Sequence, residues 1–222
     1  MSLVLITGGL GILTGFLSGL LGIGGGIIMA PLLLYVPPLF GITPLPMQTV
    51  AGLTIVQGLA ACVSGGLTHG RHHFLSGRLV AWMGVTLFVS SFTGGVSARF
   101  TDNSHLLLVF AVMALIAAVL IVLPKKKEQE YPAVAGLHFS RPRAVAVAMA
   151  VGFSGGLVGQ GGSFILIPLM TVFVKIPTRI AIGSNLAIVF LSTLAAFLGK
   201  ALTSQIAWPL ALPILLTVVP AA

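Results

Sequence analysis

Gly15-Phe-Leu-Ser-Gly-Leu-Leu-Gly-Ile-Gly-Gly-Gly-Ile-Ile-Met-Ala-Pro-Leu-Leu33 aligns without gaps to Gly152-Phe-Ser-Gly-Gly-Leu-Val-Gly-Gln-Gly-Gly-Ser-Phe-Ile-Leu-Ile-Pro-Leu-Met170, 137 residues later. Ten of the 19 positions are identical. Because Phe16 meets Phe153 and Pro31 meets Pro168, glycine bias alone does not explain the match. The alignment predicts an internal duplication. Downstream of each motif the two halves correspond more weakly: a Pro-containing loop, then a span that opens Ala51-Gly-Leu-Thr54 in one half and Ala181-Ile-Gly-Ser-Asn185 in the other.

Each motif holds six glycines, in Gly15–Gly26 and again in Gly152–Gly162. Glycine costs a helix interior about 1 kcal/mol relative to alanine, and a downstream proline removes a backbone donor. Hydrocarbon cannot satisfy freed backbone groups, so such a segment belongs inside a protein bundle or beside a water-filled cavity. Ala144–Val174 is a 31-residue run without Asp, Glu, Lys or Arg. As one straight helix it would extend ~46 Å, against a hydrocarbon core of ~30 Å. It is expected to be two half-helices meeting at Gly159–Gly162.

Outside the motifs the chain is equally apolar. Of its 222 residues, 57% are hydrophobic and 6% charged, and mean hydropathy is +1.15. A soluble domain needs about 25% charged residues to solvate its surface, which excludes that class. Met1–Gly70 carries no Asp, Glu, Lys or Arg, and Leu79–Ala98, Asn103–Pro124, Ile180–Gly199 and Ala201–Ala222 are each 20 to 22 residues long, enough for one crossing each. The expected class is an all-α polytopic membrane protein of two repeats. Each repeat has a glycine-broken or re-entrant first helix followed by three spans. Residues 1–123 form the first repeat, 124–143 a basic cytoplasmic linker and 144–222 the second repeat. The start of the chain has no basic segment and no cleavage site, and reads as mature protein.

The net charge of +8 would suggest nucleic acid in a soluble protein. Here the basic residues lie between apolar runs, so nucleic acid is not an expected partner, and loops 69–78 and 124–143 are read as cytoplasmic. If the glycine segments are re-entrant and the halves inverted, nine of the 11 basic residues share one side; if each segment crosses once, eight do. Charge favours inversion only slightly.

Asp102, Glu128 and Glu130 are the only carboxylates, and none lies within an apolar run. A carboxylate proton relay or a cation path has nothing to be built from, whereas amides, hydroxyls and helix N-termini suit an anion. Two broken helices at matching places are the pattern of a transporter binding site. The candidate substrate-binding residues are Gly22, Gly24, Gly25, Gly26, Thr54, Gln57, Gly159, Gln160, Gly161, Gly162, Ser163, Ser184 and Asn185. Close helix packing through small-xxx-small spacings, such as Gly11, Gly15 and Gly19, is the competing reading of the glycines, and gating flexibility a third.

Other features point away from enzymes and metals. His69, His72 and His73 lie in a basic loop without carboxylate or thiolate partners, and Cys62 is the only cysteine, so no metal or cofactor is expected. Gly152-Phe-Ser-Gly155 looks like the nucleophile turn of rhomboid proteases, but no histidine follows Ser154, so no enzyme is expected. Lys200 interrupts an apolar stretch near a helix end. Snorkelling to the interface is its ordinary reading, and attracting an anion the alternative.

The paired Gly-Phe-x-(Ser/Gly)-Gly-Leu-x-Gly-x-Gly-Gly segments leading to Pro-Leu, with the Ala-x-Gly opening of the next helix, resemble the sulfite exporter TauE/SafE family of bacterial inner-membrane transporters. That resemblance implies movement of small sulfur-containing or organic anions of the sulfite, sulfonate and sulfoacetate class. The partners expected are this anion, the bilayer and, as an open alternative, further copies of the chain. A non-transporting scaffold or assembly factor, with glycines used for packing, is the competing function. The span His105–Leu123 has no counterpart in the second half. The 137-residue offset places Ala222 at about residue 85 of the first, which predicts a truncated chain and a functional protein longer by about 35–50 residues.

Overall fold

The computed structural model describes residues 3–21, 26–68, 76–122 and 139–221. They form α1 (Leu3–Leu21), α2 (Gly26–Leu39), α3 (Met47–Thr68), α4 (Gly77–Phe100), α5 (Asn103–Val122), α6 (Arg141–Val158), α7 (Ser163–Val172), α8 (Thr178–Leu202) and α9 (Trp208–Ala221). No strand occurs among the described residues. Four helices are long and apolar enough to cross a membrane: Met47–Gly65 of α3, and α4, α5 and α8. The all-helical, multi-pass class expected from composition is the class observed.

Packing contacts fix the helix directions. α6 runs beside α4 in the same sense: the Arg141 guanidinium lies 5.3 Å from the Trp82 ring, Gly152 faces Leu87 and Ser90, and Gly156 faces Ser91 and Gly95. α8 runs the same way, since Ser76 N donates to Ser184 Oγ at 3.1 Å at one end and Gly199 faces Phe92 and Val96 at the other. At these crossings glycines let backbones approach within the reach of a single missing methyl group.

Between α6 and α8 the chain reverses. Gly155 sits against Gly161 and Gly162, and Gly162 against Val151, so α7 starts beside the last turns of α6 and leads back to the end where α8 begins. The pair α6–α7 is a re-entrant hairpin. Gly159, Gly161 and Gly162 have φ of 76°, 58° and 72°, a left-handed turn that glycine adopts without cost. Gln160 N and Gly161 N both donate to Gly155 O, at 2.9 and 3.2 Å, closing the end of α6. The break expected at Gly159–Gly162 is therefore present.

α1 packs along α9 in the same sense: Gly8 faces Pro213, Gly11 faces Ile214, and Gly15 faces Val218 and Ala221. α2 turns back alongside α1, with Thr14 Oγ1 3.5 Å from Met29 Sδ. α3 starts at the end where α4 finishes, because Met47 N donates to Asn103 Oδ1 and Gln48 Nε2 to Thr101 O at 2.9 Å. The α1–α2 pair thus enters from the end opposite to α6–α7.

One span differs from expectation. Gly199 does not end a span and Ala201 does not begin the next, because α8 continues through Lys200 to Leu202. Lys200 is accommodated inside the protein and does not stop the helix. The following helix starts only at Trp208 and has 14 residues.

Candidate functional site

Five buried side-chain polar atoms among the described residues have no hydrogen-bond partner: both amide atoms of Gln57, both of Gln160, and Oδ1 of Asn185. Gln57 has no exposed surface, and Gln160 and Asn185 are 3% and 4% exposed. Each unpartnered buried group costs about 1–3 kcal/mol, and native interiors keep few of them. Gln57 and Gln160 are each left without a partner at both amide atoms.

The surrounding contacts place Gln57 and Gln160 beside the hairpin tip and Asn185 two turns away from it along α8. Thr54 Oγ1 lies 2.9 Å from Gly159 O, tying α3 to the tip, and Gln57 is one turn further along α3. Ser192 Oγ donates to Gly161 O at 2.9 Å, tying α8 to the tip from the other side. Asn185 stands two turns earlier on the Ser192 face of α8. Gln160 belongs to the tip itself and stands against the first residue of α2, where a Cβ on Gly26 would be 3.1 Å from Gln160 Cγ. Tip and α2 therefore meet at Gln160.

The other sequence candidates divide into supports and undescribed residues. The Thr54 hydroxyl is engaged with Gly159 O, and Ser184 Oγ accepts from Ser76 N. Both act as brackets between elements rather than as free polar groups. Ser163 opens α7 and is 2% exposed, directly after the left-handed Gly161 and Gly162. Gly22, Gly24 and Gly25 lie outside the described residues, as do His69, His72 and His73. Among the described residues no group of three His, Cys, Asp or Glu is arranged for a metal ion.

Two features escaped sequence reasoning. Ser91 Oγ and Ser192 Oγ are 2.6 Å apart, and Ser91 Oγ lies 3.0 Å from Gly152 O, so the two serines join α4 to α8 and to the α6 arm of the hairpin. Serines at single positions of apolar helices give no periodic signal. Lys200, expected at the interface, has no exposed surface, and its Nζ lies 3.1 Å from Leu157 O. A groove of 420 Å³ between α3, α8 and α9 is lined by apolar side chains such as Val56, Leu59, Phe197 and Trp208, and holds none of the three amides. Its lining offers an anion little to bind.

Long apolar helices folded around a re-entrant hairpin, with uncharged amides sealed inside, make this a multi-pass membrane protein with a polar interior. The family described as Sulfite exporter TauE/SafE matches residues 7–222, and the chain belongs to that family of membrane transporters. Similar proteins include the probable membrane transporter protein YunE of Bacillus subtilis, 24% identical over 91% of this chain and 80% of its own length. A probable membrane transporter protein of Xylella fastidiosa strain 9a5c is 27% identical over 94% of this chain and 78% of its own. Another, from Haemophilus influenzae, is 28% identical over 79% of this chain and 65% of its own. No solved structure matches the chain significantly.

Proposed function

We propose that this transporter moves small sulfur-containing or organic anions, of the sulfite, sulfonate and sulfoacetate class, across the bacterial inner membrane. The observation that carries the reading is the pair of unpartnered amides of Gln57 and Gln160 beside the tip of α6–α7; Asn185, whose unpartnered atom is the acceptor Oδ1, stands two turns away along α8. Amide N–H groups are donors without charge, suited to anion oxygens that must be bound and then released. Gly159, Gly161 and Gly162 shape the tip, Ser163 begins the half-helix whose N-terminus adds a positive dipole end, and Thr54 and Ser184 hold the frame. Gly26 abuts Gln160, and Gly22, Gly24 and Gly25 are assigned to the matching tip of the first half.

The scaffold is read as two inverted repeats, residues 1–123 and 144–222 joined by a linker at 124–143. The packing partners support this, because α1 lies along α9 as α6 lies along α4, and the two hairpins enter from opposite ends. Arg78, Arg141, Arg143, Lys175 and Arg179 sit at the end from which α6 enters, which supports a cytoplasmic location for that end, with loop 69–78 and the linker.

The reading is tested with purified protein in proteoliposomes loaded against sulfite, taurine, sulfoacetate and acetate. Saturable uptake of at least one sulfur-containing anion, competed by another of that class, is the expected result. No uptake of any of them, with no shift of the melting temperature by any, would favour a packing scaffold instead.

A further inference from the structure

Lys200 stands apart from every other charged side chain that the structure describes. Arg78, Arg99, Asp102, Arg141, Arg143, Lys175 and Arg179 are all exposed, whereas Lys200 has no exposed surface. It does not snorkel, because its side chain is turned inward to the Leu157 carbonyl. Its Nζ donates to Leu157 O at 3.1 Å and to Gln205 Oε1 at 3.4 Å. Gln205 is held in turn, its Nε2 donating to Gly95 O at 2.8 Å. An ammonium has three N–H donors, so one remains beyond these two acceptors.

To stay charged where it is buried, this amine needs a counter-charge, since the loss of hydration far exceeds what two neutral acceptors return. Among the described residues no carboxylate pairs with it. Asp102 is exposed and lies 3.6 Å from His105 Nδ1. Glu128 and Glu130 lie outside the described residues. The terminal carbonyls of α6 contribute only a partial negative charge. Leu157, the acceptor, is two residues before Gly159 and three before Gln160. The cation therefore sits at the base of the same tip that carries an unpartnered amide.

We infer that Lys200 is the charge-selecting residue of the anion path, its ammonium receiving the anion that the amides orient. The inference rests on the transport reading above and assigns a further residue to it. Charge is what distinguishes a sulfonate from a sulfone of the same shape. Methanesulfonate and dimethyl sulfone differ by one anionic oxygen in place of a methyl group, so the pair isolates the contribution of the cation.

The test uses the purified full chain, its melting temperature followed against each probe, together with methanesulfonate uptake into proteoliposomes. Wild type and Lys200→Arg are expected to be stabilised by methanesulfonate and not by dimethyl sulfone. Lys200→Gln keeps a donor for Leu157 O without the charge. It is expected to bind methanesulfonate at least about tenfold more weakly and to lose the distinction. A Lys200→Gln protein that keeps the wild-type preference, while Gln160→Ala loses it, overturns the role of Lys200 alone. If Lys200→Gln does not fold, wild type decides: equal response to both probes overturns the inference. No response or uptake with any anion overturns the transport reading with it.

Discussion

Gln160→Met is expected to raise the melting temperature while abolishing anion uptake. Both amide atoms of Gln160 are buried without partners, so an apolar side chain of similar length removes a desolvation cost of about 1–3 kcal/mol. For a chain of this size that corresponds to a rise of several degrees, at ~2–4 °C per kcal/mol. Methionine also bends to fill the space against Gly26 that the glutamine now occupies. The same change deletes the donor offered to the anion, so stability and function move in opposite directions. Detergent melts and proteoliposome uptake on the same preparation check both halves. Uptake within about twofold of wild type, or a melting temperature well below it, contradicts the assignment; a twofold change is only ~0.4 kcal/mol.

Gly159→Ala is expected to be the most damaging single-methyl change in the described chain. Its φ of 76° is left-handed, which costs a residue with a Cβ about 1–2 kcal/mol, and that Cβ would run into the Ala51 carbonyl of α3. The clash is with backbone, so relief requires moving α3 or the tip, which also strains the bond from Thr54 to Gly159 O. The total loss is expected to reach about 4 kcal/mol or more, with uptake lost. Gly41 separates the two contributions. Its φ is 74° but no heavy atom lies within 4 Å of its Cβ position, so Gly41→Ala should show the strain alone. Equal melting temperatures for Gly159→Ala and Gly41→Ala would show that the close approach to Ala51 carries no weight.

Much of this architecture is written locally. Glycines at 159, 161 and 162 within an apolar run too long for one crossing announce a break, and Gln160, the one long polar residue in it, marks where polarity enters the bundle. The direction of the chain beyond the break is not written locally. It depends on Gly162 meeting Val151 and on Ser184 meeting Ser76, contacts that loop charges weigh only faintly. Thr54 and Asn185 look alike in sequence, as polar residues opening equivalent helices. The structure separates them, because the single O–H of Thr54 is directed at backbone carbonyls, Gly159 O among them, while Oδ1 of Asn185 has no partner. Lys200 shows the same limit: its acceptor, Leu157, is 43 residues away, so its burial leaves no mark in the flanking apolar sequence.

The most direct test is to locate an anion. Selenite, a heavier relative of sulfite, can be placed by anomalous scattering in crystals of the protein. The account predicts a selenium peak at the hairpin tip with an oxygen about 3 Å from Gln160 Nε2, lost in Gln160→Met. Selenium found only among the exposed arginines at the Arg141 end, or a tip peak that persists in Gln160→Met, would contradict it.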